Sequence, residues 1–206
     1  MKFDSNGFLI TDSWKKYDFI KSELENIKSE FFTSKVNIEE LKIHVGYKKV
    51  WYSEVVGATE MANAVEKWII NGGFHKDQIG YDSRGGEWNT FPLYKKDDKE
   101  LNNLTKKLFP NIYIVLDKIP NLNFAAIFKQ PSGQTIRPHR HMPKNLICHF
   151  LLNDLTQGNA WFKVGNKYKQ MKNMGDAIGF DYRIEHSTGN ESRDDRINFV
   201  VDVKRE

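Results

Sequence analysis

The first third of the chain carries a helical pattern of apolar residues. Ser13 is a residue type favoured at helix N-caps, and after it apolar side chains recur at steps of three or four positions. Side chains with this spacing share one face of an α-helix. The pattern predicts a long amphipathic first helix whose buried face consists of Trp14, Tyr17, Ile20, Leu24, Ile27 and Phe31.

The pattern between residues 59 and 116 predicts two more helices. One follows Thr59 and stops at the Asn-Gly-Gly sequence at 71–73, since glycine favours helix ends. The other starts after Asp98, which can cap it, and is broken by Pro110. A helical or buried run then resumes over 112–116.

A segment rich in glycine and polar residues, 79–90, lies between these two helices. It carries the large side chains Tyr81, Arg84 and Trp88. Loops of this kind often line the mouth of a site. These three residues are therefore candidates for a substrate-binding wall, and the alternative is a plain surface connection.

From Asn123 onward the pattern changes to short segments separated by turn residues. Turns are predicted at 131–133 and at Gly165-Asn166, a two-residue hairpin signal. The predicted strands cover 124–128, 135–141, 145–152, 160–164, 167–171, 177–181 and a last segment from Arg196. Helices followed by tightly connected strands predict an α+β fold. Its helical N-terminal part, 1–122, packs on a small antiparallel barrel or jelly roll, 123–206, within a single domain.

Composition narrows the class of protein. The 31 Lys and Arg residues nearly balance 27 Asp and Glu, for a net charge of +4, so nucleic-acid binding is not indicated. The single cysteine, Cys148, excludes an internal disulfide and fits a reducing cytoplasm. The first residues do not resemble a signal peptide, and no apolar run approaches the ~20 residues of a membrane span. We expect a cytoplasmic protein, and the oligomeric state stays open.

The sharpest chemical signal is a histidine pair. His139 and His141 are separated by one residue, so on a strand both side chains point the same way and can bind one ion. A third imidazole, His186, follows, and Arg196 opens the last strand. An iron site that also binds a dicarboxylate cosubstrate needs this set, because imidazoles bind the metal and an arginine binds the far carboxylate. The alternative for Arg196 is a surface ion pair with Asp194 or Asp195.

Three neighbouring residues extend this candidate site. His149 shares a strand face with aliphatic side chains, which places it inside the barrel or in a core. Arg137 and Arg140 flank the histidine pair and could bind an anionic group of the substrate. Their alternative is a solvated strand edge.

The order of these features resembles the aspartyl/asparaginyl β-hydroxylase family, a branch of the Fe(II)- and 2-oxoglutarate-dependent dioxygenases. The resemblance covers roughly residues 124–203. Its motifs are Pro131-Ser132-Gly133, Arg137-Pro138-His139, His149, the segment 175–181, Glu185-His186 and the segment 196–203. It implies a double-stranded β-helix, the cupin-like form of the jelly roll, with Fe(II) and 2-oxoglutarate as cofactors.

The resemblance also implies roles for individual residues. The iron would bind His139 and His186, and 2-oxoglutarate would contact His149 and Arg196. Many iron(II) dioxygenases carry a carboxylate where this chain has His141, and the family's founding hydroxylases lack it. An imidazole there could complete a three-histidine site, or stay off the metal and contact substrate or water. Before the cosubstrate histidine, where the hydroxylases tend to carry an arginine, this chain has Ile147-Cys148.

The leading hypothesis is therefore an enzyme. It would use O2 to hydroxylate an amino acid, a peptide or protein side chain, or another small polar substrate, with release of succinate and CO2. Halogenation or desaturation would use the same oxidant. One alternative is a cupin-type metalloenzyme that uses the three histidines without 2-oxoglutarate. Another is a metal-free jelly-roll module that binds a carbohydrate or a protein.

Overall fold

The computed structural model describes residues 1–33, 75–76, 89–141 and 144–205. Its helices are α1 (Thr11–Trp14), α2 (Asp18–Thr33), α3 (Lys99–Leu108) and α4 (Pro110–Asp117), with a 3-10 turn over Lys15–Tyr17 between α1 and α2. The predicted helix over 59–73 and most of the predicted loop, including Tyr81, Arg84 and Trp88, lie outside the described residues.

The first helical region has the predicted buried face but a different start. Tyr17, Ile20, Leu24 and Ile27 are buried, as the spacing predicts. The prediction of Ser13 as the N-cap is wrong, because α1 already begins at Thr11. The Ser13 hydroxyl instead accepts a hydrogen bond from the Lys2 backbone amide at 2.8 Å.

The helix predicted after Asp98 and the run predicted over 112–116 are both confirmed, as α3 and α4. The Asp98 side chain accepts a hydrogen bond from the Leu101 amide at 3.1 Å and so caps α3. Pro110 ends that helix and is the first residue of α4. Proline is common at this position because the missing N–H would have no partner within the helix.

The strands form two antiparallel sheets. The larger sheet has the order β1-β2-β3-β10-β5-β8 and the smaller one β4-β9-β6-β7. The strands are β1 (His75–Lys76), β2 (Asn89–Lys95), β3 (Leu122–Gln130), β4 (Thr135–His139), β5 (Asn145–Leu151), β6 (Ala160–Val164), β7 (Lys167–Met171), β8 (Ala177–Asp181), β9 (His186–Asn190) and β10 (Arg196–Lys204).

Three layers result from this arrangement. On one face of the larger sheet, side chains such as Phe150 and Phe199 pack with the helices in one apolar core. On the other face, Phe180 and Val200 pack against Phe162 and its neighbours on the smaller sheet in a second core. The fold is thus a jelly-roll sandwich with helices on its outer side, as the α+β prediction required.

The strands β1, β2 and β9 were not predicted. The predicted loop ended at residue 90 and no element was predicted for 91–95, but in β2 Asn89–Lys95 pairs with β3 in the larger sheet. Two features conceal it in the sequence. Pro92 is unusual within a strand, and a bulge between Pro92 and Tyr94 interrupts the alternation of side chains. The N-terminal part therefore contributes strands as well as helices.

The hairpin prediction is confirmed. Val164 of β6 pairs with Lys167 of β7, so Gly165 and Asn166 form the two-residue turn. Gly165 has φ +56°, a left-handed conformation that suits glycine. In the portion of the chain that the structure describes, no helix is both long enough and apolar enough to cross a membrane.

Candidate metal centre

Two of the three candidate metal ligands, which are far apart in the sequence, meet across one strand pair. His139, the last residue of β4, lies directly opposite His186, the first residue of β9, and their ring centroids are 4.3 Å apart. A β-bulge produces this register. Ile136 pairs with Thr188, and β4 then has one residue more than β9 before the histidines pair. Without the bulge His139 would face the opposite side of the sheet.

His141 joins this pair, although β4 ends before it. The prediction that His139 and His141 lie close together is therefore confirmed, but the prediction that one strand carries both is wrong. The His141 amide donates a hydrogen bond to the Tyr182 carbonyl at 3.2 Å, and the two rings stack with centroids 3.8 Å apart. These contacts turn His141 back towards the pair. The ligand nitrogens of His139, His141 and His186 all lie within 4.8 Å of one another.

Backbone carbonyls set the tautomers of two of these histidines. His139 Nδ1 is 2.8 Å from the Arg137 carbonyl oxygen, and His186 Nδ1 is 2.7 Å from that of Ile184. A carbonyl oxygen can only accept, so Nδ1 carries the proton in both rings. Each Nε2 is then unprotonated, which is the form of imidazole that binds metals.

The three imidazoles fit a divalent transition metal. Imidazole–metal bonds of about 2.1 Å hold two nitrogens up to about 4.2 Å apart on one ion, so small rotations of the rings bring all three nitrogens within reach. His139 and His141 are half-buried and His186 is buried. Neutral nitrogen ligands suit iron, zinc, copper and nickel better than calcium or magnesium. Three ligands leave coordination positions open for other molecules.

His149 lies in the interior of the sandwich, as its strand pattern predicts. It is 3% exposed, and its ring is surrounded by Phe128, Phe162 and Phe180 with centroid distances of 6.1, 4.6 and 6.0 Å. Burial, followed by the charges of Arg196 and His186, lowers the pKa of His149 well below its usual value. The imidazole is therefore neutral.

Arg196 is buried, so the alternative of a surface ion pair with Asp194 or Asp195 is wrong. Arg196 is only 1% exposed. Its Nη1 donates a hydrogen bond to Thr188 Oγ1 at 2.7 Å, and its guanidinium lies 4.7 Å from the centre of the Phe162 ring. Burial lowers the pKa of Arg196 to about 9, since the charged form loses its hydration. A buried cation of this kind favours an anionic ligand.

The two acidic neighbours have other partners. Asp194 Oδ2 accepts from the Thr156 amide at 2.6 Å, and Asp195 Oδ1 accepts from the Ser132 amide at 3.4 Å. Both carboxylates thus bind loop amides next to β10. The Asn190 side chain also donates to the Gln130 carbonyl at 3.0 Å. This network closes the end of the sandwich beyond Arg196.

Sequence reasoning missed two residues of this interior. Thr188 Oγ1 donates to the Trp161 carbonyl at 2.7 Å, which leaves its oxygen to accept from Arg196. Asn198 is 1% exposed, and its Nδ2 lies 3.3 Å from His149 Nδ1. For Asn198 the signal was present, because it follows Arg196 by two positions and shares its face on the predicted last strand. For Thr188 it was not, since no strand was predicted over 186–190, where the structure has β9.

The arginines predicted to meet substrate lie at the surface. Arg137 and Arg140 are exposed. Arg140 Nη2 is 3.7 Å from Glu185 Oε2, and both side chains are mostly in water. Substrate binding by these two residues stays a prediction, as it does for Tyr81, Arg84 and Trp88.

The interior thus has two chemically different parts. Three imidazoles, two of which carry their proton on Nδ1, lie at one end, and a guanidinium with a neutral imidazole lies further in. Thr188 is two residues along β9 from His186, which is roughly 7 Å at the rise of a strand. The group that could bind a metal and the arginine that could bind an anion are therefore linked through neighbouring residues of one strand.

The model of the family described as aspartyl/asparaginyl beta-hydroxylase matches residues 58–206. No curated protein sequence gives a significant match. Similar solved structures include a predicted oxalate decarboxylase from Thermotoga maritima, at 19% identity over 60% of this chain and 85% of that one, with a TM-score of 0.40. The cupin domain of Schizosaccharomyces pombe Cnp3 gives 14% identity over 57% and 65%, with a TM-score of 0.39.

Proposed function

The chain belongs to the aspartyl/asparaginyl β-hydroxylase family, and from this membership we propose that it is an Fe(II)- and 2-oxoglutarate-dependent dioxygenase. Its reaction is the hydroxylation of an amino acid, a peptide or protein side chain, or another small polar substrate. The observation that carries the proposal is the three-histidine group next to a buried arginine.

His139, His186 and His141 hold the iron in this proposal. The Arg137 and Ile184 carbonyls keep Nδ1 of the first two rings protonated and so keep Nε2 available. His141 is restrained by its stacking on Tyr182. A ligand set without a carboxylate leaves a less negative centre, so halogenation stays an open variant of the chemistry.

Arg196 and His149 hold the cosubstrate. Arg196 offers a planar set of N–H donors that suits the carboxylate far from the metal. Thr188 anchors one end of that guanidinium through Nη1, which limits the orientations it can take. His149 is neutral and buried, near enough to Arg196 and His186 for their charges to lower its pKa, and it contacts the carboxylate next to the keto group.

When bound, iron and 2-oxoglutarate supply the activation of O2, with succinate and CO2 as by-products of substrate hydroxylation. The protein supplies position and a dry environment. Phe128, Phe162 and Phe180 surround His149 and exclude water from the cosubstrate end. In a medium of low polarity, the attraction between a guanidinium and a carboxylate is stronger than in water.

The substrate would enter on the side of the half-buried histidines. Arg137 and Arg140 lie there and could attract a substrate that carries an anionic group. The roles of Tyr81, Arg84 and Trp88 as a substrate wall belong to the same proposal. A cytoplasmic location, also part of it, rests on the single cysteine.

The test is an anaerobic titration of the protein with Fe(II) followed by 2-oxoglutarate. The chelate of metal and keto acid should give a weak visible charge-transfer band that saturates at one equivalent of each. The matched control is Arg196→Lys, which keeps the charge but loses the planar donor set and should need more cosubstrate for the same band. Absence of the band from folded, iron-loaded protein would overturn the proposal.

A second candidate is a three-histidine cupin-type enzyme that does not use 2-oxoglutarate. The position of His141 within the ligand group favours it. Turnover by Arg196→Ala separates the two, because the first enzyme loses activity and the second keeps metal-dependent activity. Equilibrium dialysis that shows no uptake of divalent metal would exclude both and leave the metal-free binding module.

A further inference from the structure

The buried amide of Asn198 contacts the histidine assigned to the cosubstrate. Asn198 and His149 lie on the adjacent strands β10 and β5, where Val200 is the direct partner of His149. Asn198 precedes Val200 by two positions and so shares its strand face. The contact joins Asn198 Nδ2 and His149 Nδ1 at 3.3 Å in a buried environment.

This contact sets the tautomer of His149 opposite to that of the metal histidines. An amide nitrogen can only donate, so His149 Nδ1 accepts and its proton lies on Nε2. In His139 and His186 the proton lies on Nδ1, because backbone carbonyls accept from it. Nε2 is thus unprotonated in His139 and His186 but protonated in His149.

We propose that Asn198 is a positioning residue that keeps the proton of His149 on Nε2, so that His149 binds an anionic oxygen as a hydrogen-bond donor and does not bind the metal. The anionic ligand is the carboxylate of a small oxo acid, and this part rests on the proposed function. A reversed amide would put the proton on Nδ1 and turn the Nε2 electron pair towards the carboxylate, which would repel it.

The Asn198 carbonyl also indicates a ligand or a water. Within the described ranges, Asn198 Oδ1 is buried and has no hydrogen-bond partner. Buried acceptors are normally satisfied. An ordered water or a ligand hydroxyl beside it is therefore expected in the loaded protein, at the end of the interior where His149 and Arg196 lie.

The first experiment measures the tautomer directly in the metal-free protein. Two-bond 1H–15N correlation spectra of protein with 15N-labelled histidine distinguish Nδ1–H from Nε2–H rings. We expect Nε2–H for His149 and Nδ1–H for His139 and His186. A spectrum in which His149 carries its proton on Nδ1 would overturn the proposal, and this result needs no variant and no activity.

The second experiment replaces the amide donor of Asn198 by a hydrogen-bond acceptor. In Asn198→Asp the carboxylate can only accept, so at a pH where the ring is neutral the proton of His149 should move to Nδ1. The affinity for N-oxalylglycine, an unreactive analogue of 2-oxoglutarate, should then fall roughly 10- to 100-fold. A loss of this size is typical when one hydrogen bond to a charged group is removed. Metal affinity should not fall, because no metal histidine is altered.

The matched control is Asn153→Asp. Asn153 Oδ1 accepts from the Ile197 amide at 3.0 Å, a bond that a carboxylate keeps, while the donation from Nδ2 to the Asp195 carbonyl is lost. The change adds the same charge near β10. It should leave the His149 tautomer as in the wild type. If Asn198→Asp leaves the tautomer unchanged, Asn198 does not position His149. If the tautomers behave as expected and N-oxalylglycine does not bind, Asn198 keeps its role and the proposed oxygenase function fails.

Discussion

The two faces of β10 are both covered, yet they carry very different residues. On the helix side, Ile197, Phe199, Val201 and Val203 belong to or pack on one apolar core. On the side that faces the smaller sheet, the same strand presents Arg196, Asn198, Val200 and Asp202, all buried. A strand with alternating polar residues usually has one face in water. Here a second sheet covers that face.

This difference suggests that one face of β10 stabilises the fold and the other face supplies residues for ligand binding. The helix face buries apolar surface and so stabilises the fold. The sandwich face buries a guanidinium, an amide and a carboxyl group, each of which loses hydration and needs compensating contacts. Buried polar residues that lower the stability of a core indicate a ligand-binding role. The same logic applies to β5, where His149 lies between Ile147 and Leu151 on the sandwich face.

The largest effect is expected on the helix face. Phe199 is fully buried, and Phe199→Ala should lower the free energy of unfolding by about 3–5 kcal/mol through lost contacts and a cavity. Urea denaturation followed by circular dichroism measures this loss. The folded fraction should still take up one metal ion. Loss of metal from the folded variant would show that the two faces are not independent.

Changes at the metal histidines should act on binding and not on folding. His186→Ala should weaken metal binding by at least about 100-fold, since loss of a partner that merely orients a ligand already costs about 10- to 100-fold. His141→Ala should weaken it less, because His141 lies beyond the end of β4. Isothermal titration with a divalent metal gives both values. Equal losses would make His141 a full ligand, and no loss in His141→Ala would remove it from the site.

Arg196→Met tests how the buried guanidinium affects cosubstrate affinity and the free energy of unfolding. Affinity for 2-oxoglutarate should fall roughly 10- to 100-fold. The free energy of unfolding should change by less than about 1 kcal/mol or rise, because replacing a buried ionic group by an apolar side chain of similar volume is often neutral or stabilising. Fluorescence-monitored unfolding and cosubstrate titration measure the two quantities. A large loss of stability would mean that Arg196 is part of the structural core.

The smallest effect concerns Asp202 on the same face. Burial raises the pKa of Asp202 to about 6, against hydrogen bonds from Asn145 and Asn123 that lower it. The folded state therefore holds this proton up to a higher pH than the unfolded state, and stability decreases as pH rises from about 4 through about 6. Asp202→Asn should stabilise the protein at pH 8 by on the order of 1 kcal/mol and have little effect at pH 4.

Asp181→Asn is the control of opposite sign. Burial raises the pKa of Asp181, but hydrogen bonds from Arg183 and the charge of Arg205 outweigh it and leave that pKa lowered. This carboxylate stabilises the fold above its ordinary pKa and loses the effect as pH falls. Asp181→Asn should thus destabilise the protein at neutral pH. The same sign in both variants would contradict the assignment of the two pKa shifts.

Several features could be predicted because they depend on local chemistry. The spacing of apolar residues in α2, the Asp98 cap and the Gly165-Asn166 turn are properties of short segments. Strand β2 was missed, since Pro92 and the adjacent bulge conceal its alternation. The N-cap at Ser13 was wrong because a residue favoured at caps is also accepted inside a short helix.

The histidines, Arg196 and the alternation of β10 were readable in the sequence by itself, because residue types limit the chemistry and a strand repeats every second residue. Alternation cannot tell whether a polar face meets water or another sheet, and that depends on how the two sheets stack. Only the tertiary structure places His139 opposite His186 through the bulge, and only it brings carbonyls to two imidazoles and an amide to a third. These contacts join residues from different strands, so their distances depend on the path of the whole backbone.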